Sequence, residues 1–135
     1  MTLIVDASVA LKWLIEEEGS GEAAALYSEE LHAPALIQLE VGNALRSLIA
    51  RGLLTEEGAR DAYAVFLAAP VSIHALSKDD SVEAFTLALQ LGHPIYDCRY
   101  LALALKMKSR YITADQRFQR VVEAAGGFEG TVVGL

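Results

Sequence analysis

The sequence contains a single cysteine, Cys98, among its 135 residues. One cysteine excludes an internal disulfide bond and fits a protein of the reducing cytoplasm. The three histidines, His32, His74 and His93, are scattered along the chain. Because protein zinc sites are usually built from clustered cysteine and histidine ligands, we do not expect a zinc site.

Long apolar runs are also missing from the sequence. No run approaches the roughly 20 residues of a membrane-spanning helix, because Lys12 and Glu16 interrupt the best early candidate. The amino terminus has neither the basic start nor the cleavage site of a secretory signal peptide. We therefore expect a cytoplasmic protein that does not enter a membrane, folded as one domain over residues 1–135.

Basic residues are scarce relative to acidic ones. The chain has 11 lysines and arginines against 18 aspartates and glutamates, which gives a formal net charge of -7. Taken alone, this charge argues against broad electrostatic binding to nucleic acid. It also fits a site that gathers carboxylates around a metal cation, so the net charge does not decide between the two.

Apolar residues, in contrast, make up 53% of the chain, and the mean hydropathy is +0.32. Much of the chain should therefore be buried or face a partner. Two common catalytic motifs are absent: there is no glycine-rich phosphate-binding loop and no G-x-S-x-G sequence.

The most informative local pattern is the unbroken apolar run of residues 3–5, which leads directly into Asp6. Such a run is typical of a strand buried on both faces of a parallel sheet. Asp6 would then lie at the carboxyl end of that strand, where open α/β sheets bind their ligands. Ser8 can cap the helix that is predicted next, over Val9–Glu17.

Predicted strands and helices alternate along the whole chain. This order predicts an α/β fold, a three-layer α/β/α sandwich around a central, mainly parallel sheet of four to five strands. The clearest helices are Ala35–Arg51, which is amphipathic, and Tyr96–Met107, which is apolar nearly all round and should be deeply buried. The predicted strands are Thr2–Val5, Leu31–Pro34, Val71–Ala75, Arg110–Thr113 and Thr131–Val133.

Four acidic residues occupy positions where an acid is locally unexpected. Asp6 ends the first strand, and Glu40 lies beside an apolar helical stripe. Asp97 opens a buried helix, and Asp115 follows a late strand. Strand ends and helix starts share one edge of such a sheet, so these acids can converge there if the helix of Glu40 leans over that edge. Each acid alone has a simpler explanation, as a helix cap or a solvated residue, and the prediction depends on all four together.

Clustered carboxylates repel one another, and burying them without compensation is costly. A hard divalent cation with oxygen ligands removes this repulsion, and Mg²⁺ or Mn²⁺ suits such ligands better than Zn²⁺. The residues therefore predict a Mg²⁺ or Mn²⁺ site.

Four pieces of the sequence resemble the PIN-domain ribonucleases, specifically the VapC-type toxins of toxin–antitoxin pairs. The pieces are V-D-A-S-V around Asp6, P-A-L-I-Q-L-E-V-G-N-A-L around Glu40, Y-D-C-R-Y-L-A-L-A around Asp97 and Y-I-T-A-D around Asp115. They occur in the family's order and span nearly the whole chain.

The resemblance implies a Mg²⁺- or Mn²⁺-dependent endoribonuclease whose four acids are catalytic and bind the metal. It also implies supporting roles for Asn43 and Thr113. Ser8 has several possible roles, because it can cap a helix, orient Asp6 or orient a metal-bound water. Local positive charge supplies the candidates for contacts with RNA phosphates, which are Lys12, Arg46, Arg51 and Arg99.

The resemblance further implies a homodimer, inhibition by a VapB-type antitoxin, and binding of operator DNA only through that antitoxin. An inactive PIN-like protein-binding module stays open as an alternative. A phosphotransfer domain fits poorly, because Asp6 is not followed by a D-x-D pattern and the third predicted strand ends at Ala75 without an aspartate.

A substitution at Asp6 tests whether this residue is functional or structural. We expect Asp6→Asn to abolish RNA cleavage and to leave the metal-free protein as stable as the wild type or slightly more stable, because the change relieves carboxylate repulsion. Urea unfolding and an RNA cleavage assay measure the two effects. A large loss of stability would instead identify Asp6 as a structural residue.

Overall fold

The computed structural model describes all 135 residues and confirms the alternation of strands and helices. The strands are β1 (Thr2–Val5), β2 (Glu30–Pro34), β3 (Val71–His74), β4 (Arg110–Thr113) and β5 (Val132–Gly134). The helices are α1 (Ala7–Leu14), α2 (Ser20–Ala25), α3 (Leu36–Ala50), α4 (Glu56–Leu67), α5 (Lys78–Leu91), α6 (Ile95–Met107) and α7 (Gln116–Ala125). A short 3-10 helix over Leu26–Ser28 follows α2.

The five strands form one sheet in the order β3-β2-β1-β4-β5, and every neighbouring pair is parallel. This confirms the predicted parallel sheet with its flanking helices. The first strand lies at the centre of the sheet, between β2 and β4. All carboxyl ends therefore face one edge, and the residues that follow β1 and β4 are neighbours at that edge.

The residues of β1 are buried on both faces of the sheet, as their unbroken apolar pattern predicts. Ile4 belongs to the larger core cluster, which includes buried residues from α3 to α7. Leu3 and Val5 belong to a smaller cluster, against which Trp13 of α1 packs. The two clusters lie on opposite sides because successive side chains of a strand alternate between its faces.

The predicted deeply buried helix is α6, in which every residue from Cys98 to Ala104 is buried. Burial raises the pKa of the Cys98 thiol to about 11. Because the thiolate is the reactive form, this cysteine is a packing residue with low reactivity.

The beginnings of the first two helices differ from the sequence-based prediction. The cap of α1 is Asp6, which accepts a hydrogen bond from the backbone N–H of Val9, so Ser8 lies inside the helix and does not cap it. The second helix begins at Ser20, two residues before Glu22, where the break at Gly19-Ser20-Gly21 predicts its start, because Gly19 adopts a left-handed conformation (φ 87°) as its cap. Glycine tolerates this conformation without steric cost.

The apolar face of α5 formed by Val82, Phe85 and Leu89 is exposed, with exposed fractions of 63%, 55% and 68%. Ala84 and Leu87 form the buried side of the same helix. The helical spacing of Val82, Phe85 and Leu89 predicts a helix here, and the structure confirms it. The spacing does not show which side of that helix faces the core. No helix in the structure is both long and apolar enough to cross a membrane.

Asp80 connects α5 to α6 through a buried carboxylate that is only 6% exposed. The pattern Ser77-Lys78-Asp79-Asp80 predicts a capping box, and the structure contains it. In it, the carboxylate of Asp80 accepts a hydrogen bond from the Ser77 N–H at 3.1 Å. It also lies 3.1 Å from the ammonium of Lys106 and 3.8 Å from the guanidinium of Arg99. These contacts, chiefly the backbone hydrogen bond from Ser77 and then its side-chain hydrogen bond, lower the pKa of Asp80.

Asp80→Asn should lower the free energy of unfolding by about 2 kcal/mol at pH 7, because hydrogen bonds to a charged group are stronger than neutral ones. The lowered pKa means that the ionised carboxylate stabilises the fold above its unfolded-state pKa of about 4, and that this contribution is lost as the pH falls below that value. The stability difference between wild type and variant should therefore shrink in urea unfolding at pH 3. Asp79→Asn, at the exposed neighbouring position, is the control, and an equal effect from it would contradict the role of Asp80.

Candidate active site

The four predicted acids come from four elements around the carboxyl edge of the sheet. Asp6 follows β1, and Asp115 follows β4 after one intervening residue. Asp97 lies in the first turn of α6, and Glu40 lies in the first half of α3.

Asp6 is buried and is held by three hydroxyl groups. Its Oδ1 accepts a hydrogen bond from Ser8 at 2.5 Å. Its Oδ2 accepts hydrogen bonds from Tyr111 at 2.6 Å and Thr113 at 2.5 Å. With only 6% of Asp6 exposed, these donors replace the water that the carboxylate would otherwise bind.

Two opposing effects act on the pKa of Asp6. Burial raises the pKa and is the larger effect, while the hydrogen bonds from Ser8, Thr113, Tyr111 and the Val9 N–H lower it. The buried negative charge is therefore only partly compensated in the metal-free protein.

Glu40 is half-buried, and its Oε1 accepts a hydrogen bond from the hydroxyl of Tyr100 at 2.5 Å. Burial raises the pKa of Glu40, the hydrogen bond from Tyr100 lowers it, and the negative charges of Asp6 and Asp97 raise it. The structure therefore brings these three acids close enough for their charges to interact.

Asp97 and Asp115 are each held by a different local contact. Oδ2 of Asp97 lies 2.7 Å from Nε2 of His93. Asp115 caps α7 by accepting a hydrogen bond from the Phe118 N–H at 3.1 Å. The N–H of Asp115 donates to Oγ1 of Thr113 at 3.0 Å, so Thr113 connects Asp115 to Asp6.

Each carboxylate is thus held by its own protein donor, and no three His, Cys, Asp or Glu side chains are arranged so that they could hold a metal ion. The residues nevertheless fit Mg²⁺ or Mn²⁺ by their chemistry. All four acids offer hard oxygen ligands, and the incomplete compensation at Asp6 and Glu40 favours a cation.

Among the supporting residues, Ser8 orients Asp6, and its oxygen also accepts a hydrogen bond from the Ala114 N–H at 3.0 Å. Thr113 is fully buried between Asp6 and Asp115. Asn43 is exposed and contacts Arg46, with 3.4 Å between Oδ1 and Nε, and it makes no hydrogen bond to an acid.

Of the four predicted phosphate-binding residues, two are exposed and two are held by other groups of the protein. Arg46 is exposed on α3, and Arg51 is exposed directly after the end of that helix. The ammonium of Lys12 is held by the carboxylate of Glu17 and the carbonyl of Glu18.

The prediction of a phosphate contact for Arg99 is wrong, because this side chain is only 5% exposed and lies between Asp80 and the carbonyl of Ala75. Arg99 lies two residues after Asp97, on a part of α6 whose side chains are buried.

Tyr100, Tyr111 and His93 contact the acids and were missed as site residues. The signals were present in their spacing. Tyr111 lies two residues before Thr113 in β4, so both side chains project from the same face of the sheet. Tyr100 follows Asp97 by three residues in α6, and His93 precedes it by four. Spacing alone does not show that these side chains, and not others on the same faces, meet carboxylates.

Thr113→Val should lower the free energy of unfolding by about 2 kcal/mol, because it removes a donor to Asp6 and leaves the Asp115 N–H without an acceptor. Thr113→Ser keeps the hydroxyl and should cost about 1 kcal/mol for the lost methyl group. Urea unfolding of the metal-free proteins measures both values. A loss in Thr113→Ser with none in Thr113→Val would show that packing, and not the hydroxyl, is what Thr113 contributes.

Comparison with known proteins places this site in a family. The family model described as "PIN domain" matches residues 3–124. A relative in Pyrobaculum aerophilum, Ribonuclease VapC3, is 37% identical over 123 residues, which cover 87% of this chain and 92% of the relative.

Solved structures share the fold at much lower sequence identity. VapC20 of Mycobacterium tuberculosis, described as a sarcin-ricin loop cleaving toxin, has a TM-score of 0.69 and 17% identity, with 87% of this chain and 93% of that chain covered. VapBC2 of Rickettsia felis, solved with a DNA fragment from its promoter, has a TM-score of 0.67 and 12% identity, with 100% and 99% covered. The matched family model and the 37% identical relative show that this chain belongs to the PIN-domain family, among the VapC ribonucleases.

Proposed function

We propose that this chain is a Mg²⁺- or Mn²⁺-dependent endoribonuclease that hydrolyses RNA phosphodiester bonds and acts as the toxin of a toxin–antitoxin pair. The observation that carries the proposal is the placement of the four acids around the carboxyl edge of the sheet. Burial, and after it the charges of Asp6 and Asp97, raise the pKa of Glu40, which agrees with this proximity. The Ribonuclease VapC3 relative supports RNA as the substrate.

The metal would be held by the four carboxylates, Asp6, Glu40, Asp97 and Asp115. A bound Mg²⁺ or Mn²⁺ supplies positive charge that lowers the pKa of water and stabilises negative charge on the reacting phosphate. The fixed side chains then act as a frame: Ser8, Tyr111 and Thr113 hold Asp6 in one orientation at the end of the central strand.

Binding of RNA needs local positive charge, because the net charge of -7 opposes it elsewhere. Arg46 lies on α3, the same helix as Glu40, and Arg51 directly follows the end of that helix; both are exposed. Arg117 and Arg120 are exposed on α7, which begins directly after Asp115. We assign a phosphate contact to Arg46 first, because it shares a helix with an acid of the site, and then to Arg51.

The partners that we propose are a VapB-type antitoxin and a second copy of the chain, in the cytoplasm, with operator DNA bound only through the antitoxin. The Rickettsia felis VapBC2 structure, which contains promoter DNA, supports the antitoxin and the DNA. The exposed apolar face of α5, formed by Val82, Phe85 and Leu89, suits contact with another protein chain.

One observation favours a second candidate function, an inactive PIN-like module that only binds a protein partner. In the metal-free structure no three acids are arranged as a ligand set. A metal titration separates the two functions, because only the nuclease requires the acids to bind a cation.

We expect the purified chain, freed of any antitoxin, to bind Mn²⁺ in calorimetry and to cut RNA only when Mg²⁺ or Mn²⁺ is present. Chelation with EDTA should stop cleavage, and added Mg²⁺ should restore it. Asp6→Asn should bind the ion more weakly and should not cut, because it removes the most deeply buried carboxylate of the four. Sequencing of the 5′ ends of the fragments identifies the cleavage site.

The matched control is Asp79→Asn, which removes an equally charged but exposed aspartate of α5 and should bind and cut like the wild type. A wild-type chain that binds no Mn²⁺ and cuts no RNA would contradict the nuclease and favour the binding module. Cleavage of single-stranded DNA as fast as RNA would contradict the assigned substrate.

A further inference from the structure

Four aromatic rings form a continuous layer beneath the acids, which we call the aromatic platform: Tyr100, Tyr111, Phe118 and His93. The rings of Tyr100 and Tyr111 are stacked, with centroids 5.4 Å apart and an interplanar angle of 14°. Phe118 packs against Tyr111 at 6.0 Å and against His93 at 4.8 Å. Both distances lie in the range of favourable aromatic contacts.

Each of the four acids contacts a different member of this platform. The hydroxyl of Tyr100 donates to Glu40 at 2.5 Å, and that of Tyr111 donates to Asp6 at 2.6 Å. The imidazole of His93 lies 2.7 Å from Asp97, and the backbone N–H of Phe118 donates to Asp115 at 3.1 Å.

Burial makes the platform rigid. Tyr100 is 1% exposed, and Tyr111 and Phe118 are 0% exposed. A close-packed ring has one available orientation, so the position of its hydroxyl group is set by packing. The stacked tyrosines therefore fix where Glu40 and Asp6 are held relative to each other, although these acids come from segments 34 residues apart in number (40 − 6).

We propose that Tyr100 and Tyr111 are positioning residues of the metal site, and that their stacked rings set the relative placement of Glu40 and Asp6. This inference rests on the proposed function for its metal step. The tyrosines touch the acids and not the substrate, so they act through Glu40 and Asp6. Groups that orient metal ligands from behind in this way contribute substantially to metal affinity.

Tyr100→Phe and Tyr111→Phe remove one hydroxyl each and keep the ring, so the packing of the platform is retained. Each variant should bind Mn²⁺ about tenfold more weakly in calorimetry, because an orienting donor to a ligand is lost. With saturating metal, kcat for RNA cleavage should fall while KM for RNA stays unchanged.

Tyr63→Phe is the matched control. The Tyr63 hydroxyl also donates one hydrogen bond, at 2.8 Å, but to the carbonyl of Gln38 and to no acid. Its loss should affect stability in urea without changing Mn²⁺ affinity. If all three variants bind Mn²⁺ as the wild type does, the tyrosine hydroxyls only stabilise the fold and the inference is overturned, while the proposed nuclease stands.

A double-mutant cycle tests the positioning without any metal. In urea unfolding of the metal-free protein, the effect of Tyr111→Phe should largely disappear when Asp6 is already Asn, because the hydroxyl acts on that carboxylate. The effect of Tyr63→Phe should be the same with or without Asp6→Asn. If the wild type binds no Mn²⁺, the proposed function fails and the inference about its metal site fails with it. If the wild type binds Mn²⁺ but the effects of Tyr111→Phe and Asp6→Asn are additive, Tyr111 does not act through Asp6 and the inference alone is overturned.

Discussion

The structure depends on the burial of one carboxylate, that of Asp6, at the end of its central strand. Burial of a charge is unfavourable unless donors replace the lost water. Here Ser8, Tyr111 and Thr113 supply the donors, the first from the start of α1 and the other two from β4. The need to satisfy Asp6 therefore joins β1 to β4 at the point where the site lies.

The same constraint supports the cation that we propose for the site. The hydrogen bonds offset only part of the free-energy cost of burying these carboxylates, since burial still raises the pKa of both Asp6 and Glu40. An arrangement that kept these acids merely for stability would gain from replacing them with neutral residues. In the proposed nuclease, a divalent ion would neutralise this uncompensated charge, and the lower stability at this edge would be the cost of that function.

The general fold could be predicted from local patterns. The apolar run before Asp6 predicted a doubly buried strand, and the apolar α6 predicted a buried helix, because burial on all sides requires apolar residues on all sides. Helix starts were predicted less accurately. Asp6 and Ser8 are both acceptable caps for α1, and only the backbone geometry selects between them. Likewise, the apolar spacing that includes Phe85 predicted the helix α5 but not which of its faces is buried. A periodic pattern identifies a helix and does not identify the element that packs against each of its faces.

The sequence by itself determined the parallel sheet, the strand that carries Asp6, and the four acids that can meet at one edge. Strands and the residues that end them can be recognised from the local order of apolar and polar residues. Only the tertiary structure decided which groups surround those acids. It buried Arg99 beside Asp80 and away from the surface, and it placed Tyr100 and Tyr111 beneath Glu40 and Asp6. These contacts join residues separated by 60 and 105 positions. They arise from the packing of α6 and β4 against one another, which no local pattern specifies.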